Sequence, residues 1–321
     1  MTTLITCMGE CLIDFLPLHS GGEHSDFRMY AAGSILNVAV GLARLEKETA
    51  FACKVADDYF GRYLQSYMAA EKIDSRFLVP LKGGRSTLAF VAMEDGIPTF
   101  SFYGEGAADT LLTVDELPDT LFTETQILHF GSISLLQGTT PEAVLQTVEL
   151  LKGRTLLSFD PNIRPGLVRD ERRYRILLQR MIELAEVVKL SEADLAWMRP
   201  GLSSEEALHE LVAQGPGLVV VTRGAQGVLA ATSERASVQL PTFAVEVVDT
   251  VGAGDAFCAG LLAQLAERDM TTHAALTRIT TDELSEIVGF AAAVAALNCT
   301  QPGANPPRKA AVEQFLRLTS Q

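Results

Sequence analysis

Short apolar runs alternate along this 321-residue chain with longer stretches whose apolar positions recur at helical spacing. Runs over 126–131, 156–160, 187–190 and 218–222 read as strands, and 142–151, 204–212, 282–297 and 310–318 read as helices between or after them. Such alternation predicts a parallel sheet with helices on both faces, carrying its ligand at the carboxyl ends of the strands. Two early regions break the pattern. Residues 10–18 and 25–30, and later 86–93 and 99–103, alternate with period two and predict short strands outside any βα unit. Residues 243–248 alternate in the same way, and after them Ala256, Phe257, Ala259, Leu261, Leu262 and Leu265 recur as on a buried helix. No internal repeat, low-complexity tract or long linker interrupts the chain.

Between that last strand candidate and its helix lies Asp249-Thr250-Val251-Gly252-Ala253-Gly254-Asp255-Ala256-Phe257. Glycine lets backbone N–H groups approach an anion closely, and the first N–H groups of a helix have no partner within it. Gly252, Ala253 and Gly254 therefore read as an anion cradle. A carboxylate there would repel phosphate but is well placed to take a proton from an attacking hydroxyl, which makes Asp255 a candidate general base. An equally simple reading is a glycine turn with Asp255 as the helix N-cap.

The same nine residues resemble the signature of the ribokinase, or PfkB, family of carbohydrate kinases, Asp-Thr-x-Gly-Ala-Gly-Asp. Further stretches match in the family's order: 31–45, where Ala32 stands for the first glycine of a Gly-Gly pair; Phe159-Asp160-Pro161-Asn162-Ile163-Arg164-Pro165; Val221-Thr222-Arg223-Gly224-Ala225-Gln226-Gly227; and Pro302-Gly303-Ala304. The resemblance implies a single α/β domain over 1–321. Its form would be a ribokinase-like three-layer sandwich with a mostly parallel central sheet and a small β-sheet lid, with lid strands within 10–30 and 84–105. That lid would cover the sugar and pair with a second subunit, giving a homodimer. Apolar Phe27, Phe100 and Phe102 are the residues it would leave to be covered.

The resemblance also implies roles. Asp14, Gly33, Ser34, Asn37 and Ser132 fall on the sugar-binding positions, with Gly131 beside them. From the residues alone Asp14, set among Cys11-Leu12-Ile13 and Phe15-Leu16 at the end of an apolar strand, could equally cap a turn. Lys189-Leu190-Ser191-Glu192-Ala193-Asp194 stands where the family carries Asn-x-x-Glu, so Lys189 and Ser191 become nucleotide-side residues and Asp194 a water-mediated Mg²⁺ ligand, with shorter side chains at both motif positions. Thr222, Gly224 and Gly227 match the nucleotide loop, where a plain β-turn is the alternative. Asp249, Val251, Asn298, Gln301 and Gly303 match a K⁺ site. Arg164, and Arg223 less directly, are candidates to neutralise substrate oxygens or to form surface ion pairs. In the implied reaction a sugar hydroxyl, relieved of its proton by Asp255, attacks the γ-phosphorus of Mg-ATP in line.

Within the family, Gly9-Glu10-Cys11-Leu12-Ile13-Asp14-Phe15, His129-Phe130-Gly131-Ser132 and the Asp160 to Arg164 segment most resemble fructokinases. A 2-keto-3-deoxygluconate kinase is the runner-up, but that group places an arginine where this chain has Gly104, so a small neutral sugar is favoured, while Arg164 leaves the acid open. Ribokinase activity is a further alternative, and a non-catalytic sugar or nucleotide sensor is the reading from another class. Composition sets outer limits. A net charge of −14 argues against a nucleic-acid partner, whose phosphates need a basic surface. The five cysteines are odd in number and scattered without metal-site spacing, so reduced core residues are expected. The N-terminus lacks a basic stretch before an apolar one and no run reaches membrane-spanning length, which predicts a cytoplasmic enzyme without a membrane partner.

Overall fold

The computed structural model describes residues 3–18, 26–94, 97–234 and 236–319, without the side chains of 92–94 and 97–100. Ser25 and the side chain of Phe100 thus lie outside the described residues. In chain order the strands are β1 Ile5–Met8, β2 Leu12–Pro17, β3 Phe27–Ala32, β4 Thr49–Ala56, β5 Asp74–Leu81, β6 Thr87–Glu94, β7 Ile97–Tyr103, β8 Ile127–Gly131, β9 Leu156–Asp160, β10 Val187–Ser191, β11 Leu218–Thr222, β12 Val228–Thr232 and β13 Ser237–Leu240. The helices are α1 Ser34–Arg44, α2 Tyr59–Ala70, α3 Asp119–Glu124, α4 Thr140–Leu151, α5 Glu171–Leu184, α6 Glu192–Met198, α7 Ser204–Val212, α8 Ala253–Glu267, α9 His273–Leu276, α10 Thr281–Cys299 and α11 Lys309–Thr319.

Nine strands form the central sheet in the order β13-β12-β11-β10-β9-β8-β1-β4-β5, parallel from β5 to β11 and antiparallel at β12 and β13. Its strands are apolar on both faces, and successive residues serve opposite layers. Leu218 and Val220 of β11 join the core with α1, α8 and α10, whereas Val219 and Val221 join the core with α4, α5 and α7. The resulting three layers agree with the alternation in the sequence. A second sheet, β3-β2-β6-β7, packs Ile13 with Phe15, Met29, Ala31 and Leu88 against the core shared by α1, α8 and α10, while Leu12, Ala32 and Ala89 form a small core of their own. These four strands occupy the early regions that broke the alternation.

Three details differ from the sequence reading. Residues 243–248 pair with no strand, because the sheet ends at β13; their alternation reflects one-sided cover, with Phe243 packed edge-on against Phe315 at 5.2 Å. The glycine signature therefore follows an irregular segment rather than a strand. Asp14 lies in the interior of β2, opposite Tyr30 and Ala89, and not at a strand end. Helix α8 begins at Ala253 with Gly252 as its N-cap, so Asp255 is a first-turn residue and does not cap the helix.

Candidate active site

Two helices bring the central constellation together. Helix α1 buries Ile35, Leu36, Val38, Ala39, Val40 and Leu42, and packs so closely on α8 that a side chain at Gly41 would stand 2.5 Å from Ala259 Cβ. Ser34 and Asn37, one turn apart at the start of α1, then face Asp255 in the first turn of α8. Ser34 Oγ donates to Asp255 Oδ1 at 2.6 Å, and Asn37 Nδ2 donates to Oδ2 at 2.8 Å. Burial pushes the Asp255 carboxyl above the ordinary aspartate value, while these two donors and the Lys189 charge pull against it. The result is a carboxylate of raised basicity that is fixed in orientation, which is what a general base requires.

Beside it lies the cradle. Gly252 has φ 74°, a left-handed conformation that suits glycine, and turns the chain into α8. Gly254 and Asp255 occupy helix positions whose N–H groups have no intrahelical acceptor. A Cβ on Gly254 would come within 2.9 Å of Lys189 Nζ, so only glycine leaves the ammonium access to this turn. Lys189 is itself buried and bonded to Asp160 Oδ2 at 2.9 Å. Desolvation opposes its charge, but the Asp160 carboxylate outweighs that and holds the ammonium above the usual lysine range. Backbone N–H groups, a helix N-terminus and a fixed cation thus converge where an anion would sit.

Other residues singled out in the sequence divide into those that join this centre and those engaged elsewhere. Gly33 precedes α1 and packs on Glu10, its absent Cβ 2.8 Å from the Glu10 carbonyl oxygen. Ser132, in a left-handed turn after β8, lies beside the Glu10 carboxyl. Arg164 is exposed and donates to Asn162 Oδ1 at 2.7 Å, while Arg223 pairs with Glu205 at 3.3 Å. Thr222, Gly224 and Gly227 form the turn from β11 to β12, with Thr222 Oγ1 donating to Leu190 O. Ser191 and Asp194 form a reciprocal cap at the start of α6. Asp194 Oδ2 accepts from the Ser191 N–H and hydroxyl, and Oδ1 accepts from Ile163 N–H at 2.7 Å, so both oxygens are engaged. Asp249 accepts from Val251 N–H and Gly303 N–H, and Asn298 Nδ2 donates to Val251 O at 2.8 Å. Gln301 is tied to the same loop through its N–H on Asn298 O. The residues matched to a cation site are therefore gathered on the loop before α8, the last turn of α10 and the loop that follows it, and among the described residues no cluster of three His, Cys, Asp or Glu side chains could hold a metal.

Sequence reasoning passed over four buried or bridging residues. Asp160 and Asn162 stand out in the sequence only as parts of the Phe159 to Pro165 motif. Glu10 is buried with Oε2 unpartnered, and burial pushes its carboxyl up to about 7. Asp109 accepts from Thr87 Oγ1 at 2.6 Å, and burial raises its carboxyl to about 6. Asp109 and Thr87, with Phe102, Gly104, Ile133 and Gln137, line a cavity of about 720 Å³ between the small sheet and the loop after β8. A buried acid beside apolar neighbours is the only signal in the sequence that would have marked Glu10 or Asp109.

Residues 2–311 match the model of the pfkB family carbohydrate kinases. A fructokinase of Rhizobium leguminosarum bv. trifolii is 39% identical over 84% of this chain and 82% of its own length. The crystal structure of a fructokinase from Xylella fastidiosa with bound ATP superposes with a TM-score of 0.92 at 31% identity, covering 100% of both chains. A fructokinase from Vibrio cholerae O395 in its fructose, ADP and calcium ion bound form gives 0.84 at 30% identity, covering 98% of this chain and 99% of that one. The chain belongs to the PfkB family of carbohydrate kinases.

Proposed function

We propose that this protein is a fructokinase, transferring the γ-phosphoryl group of ATP to a hydroxyl of fructose with Asp255 as the base. The observation that carries this reading is the Asp255 carboxylate, held by Ser34 and Asn37 at the edge of the glycine cradle. Fructose would lie between the small sheet and the ends of the central strands, bonded by Asp14, the Gly33 to Asn37 turn and Ser132. Asp255 accepts the hydroxyl proton as the oxygen attacks, and the Gly252 to Asp255 N–H groups with Lys189 meet the charge on the transferring phosphoryl group. The Thr222 to Gly227 turn and Ser191 would border the nucleotide.

Mg²⁺ bound to the nucleotide would neutralise its phosphate oxygens and hold them in line. Both oxygens of Asp194 are engaged in protein hydrogen bonds, so a contribution from this residue would run through water. The loop holding Asp249 and Val251, stapled to the end of α10 through Asn298, would offer oxygen ligands for K⁺ next to the cradle. The exposed Phe27, Tyr30 and Tyr103 on the small sheet support pairing with a second copy, and a cytoplasmic location completes the reading.

A sugar acid is disfavoured at Gly104, where even a Cβ would stand 3.1 Å from Thr87 and 3.3 Å from Gln137 Nε2, leaving little room for an arginine. A coupled ADP-release assay over fructose, ribose, adenosine and 2-keto-3-deoxygluconate decides among these substrates. Fructose should give the highest kcat/KM and require Mg²⁺. A preference for the sugar acid would replace this reading, and no turnover on any sugar would favour a sensor.

A further inference from the structure

Asn162 has no role in the chemistry above, yet several groups that carry it meet there. It follows β9 through Pro161 and adopts φ 37°, a left-handed backbone that Asn tolerates better than most side chains. Its own N–H secures the turn on Asp160 Oδ1 at 3.1 Å, the carboxylate that also binds Lys189. The side chain then divides. Nδ2 donates to Ser34 Oγ at 2.7 Å, and Oδ1 accepts from Arg164 Nη1 at 2.7 Å. A serine hydroxyl has one proton. Because Asn162 donates to the Ser34 oxygen, that proton is left for Asp255 Oδ1 at 2.6 Å.

We propose that Asn162 is a positioning residue that locks the Ser34 hydroxyl as a donor to Asp255 and holds the Arg164 guanidinium on the same amide. This rests on the reading of Asp255 as the base. Only a short side chain with both a donor and an acceptor fills the role. Aspartate at 162 has no proton to give Ser34 when ionised and would compete for the Ser34 proton, leaving Asp255 with Asn37 alone. Glycine keeps the left-handed turn and removes both links. The other groups facing Asp255 are Asn37 on α1, Lys189 on β10, Asp160 at the end of β9 and Cys258 on its own helix; Asn162→Gly leaves them in place, whereas Asn162→Asp adds a charge of its own, so an upward shift is read from the glycine variant.

The test is a ¹³C-carboxyl NMR titration of Asp255 in the full-length protein, its signal assigned by loss in Asp255→Asn, for wild type, Asn162→Asp, Asn162→Gly, Ser34→Ala and the Ser34→Ala/Asn162→Gly pair. Losing a donor to a carboxylate raises its pKa, so each single variant should titrate about one unit higher. The paired variant should match Ser34→Ala alone, since Asn162 acts through Ser34. In turnover, the acid limb of the kcat profile should move to higher pH, lowering kcat several-fold on that limb, with the KM for ATP unchanged. Asp255 titrating as in wild type in folded Asn162→Asp and Asn162→Gly would overturn the proposal, as would additive shifts in the paired variant. Asn162→Asp matches the native shape and keeps the test open if glycine unfolds the turn. Should the wild type phosphorylate no sugar, the function proposed above fails while the titration still decides the role of Asn162.

Discussion

A buried and a half-buried aspartate, Asp255 and Asp14, mark the two ends of the proposed sugar site, and their surroundings differ. Asp255 is gripped by two donors, stands near a buried ion pair and lies between helices packed at backbone distance. Asp14 lies within a thin sheet, where burial pushes its carboxyl up to about 6 with no donor or cation offsetting the cost. The contrast separates chemistry from recognition. A base must be oriented before the substrate arrives, so its hydrogen bonds are built into the fold. A carboxylate that binds hydroxyls is left without a protein donor, so that the correct polyol relieves its partial desolvation and a molecule lacking the matching hydroxyl does not.

The largest effect should come from breaking the chemical end alone. In Gly254→Val the new side chain enters the turn at the Lys189 ammonium, so sugar phosphorylation should be lost while the thermal midpoint stays within a few degrees of wild type. Normal turnover by the folded variant would remove the cradle. Breaking the recognition end should be milder. Asp14→Ala should lower kcat/KM for fructose about 10- to 100-fold, the worth of a buried hydrogen bond, and leave the Kd for ATP alone. Because burial raises the Asp14 carboxyl with no protein donor or cation offsetting it, the same change should not reduce thermal stability; a clear loss would make it a structural residue.

Glu10, buried under the Gly33 turn, sharpens the comparison through stability. Its folded pKa of about 7 exceeds the ordinary glutamate value of 4.5 because burial penalises its charge. The folded state therefore keeps a proton that the unfolded chain releases, so this contribution is whole below pH 4.5 and is lost as pH rises through 7. Glu10→Gln keeps an acceptor for the Ile35 N–H and has no charge to lose. Relative to wild type it should gain up to about 3 kcal/mol between pH 5 and pH 8 in urea unfolding. Equal pH dependence in both proteins would contradict the buried-acid assignment.

Legibility in the sequence follows the same division. Strands β9 and β11 and helix α7 were bounded to the residue, because a doubly buried strand and a one-sided helix write their periods directly into the apolar pattern. The strands β1, β4 and β5 and helix α2, which complete the far side of the sheet, are less legible, since in the chain they are interleaved with the strands of the small sheet and the βα alternation is broken there. Residues 243–248 show the converse error: alternation records one-sided cover, whereas a strand also needs a neighbour. At the site, the glycine turn and its aspartate were visible because their chemistry is local. The link from Asp160 through Asn162 and Ser34 to Asp255 was not, because it joins the ends of separate strands and helices that only the folded topology brings together.

The central claim is that Asp255 acts in the chemical step and not in holding the nucleotide. Asp255→Asn preserves size and both neighbouring helices while removing proton affinity, so steady-state turnover with fructose should be compared with direct ATP binding on the same preparation. The account predicts a fall in kcat of roughly 10²- to 10⁴-fold with the ATP Kd essentially unchanged. Turnover within a few-fold of wild type would contradict it.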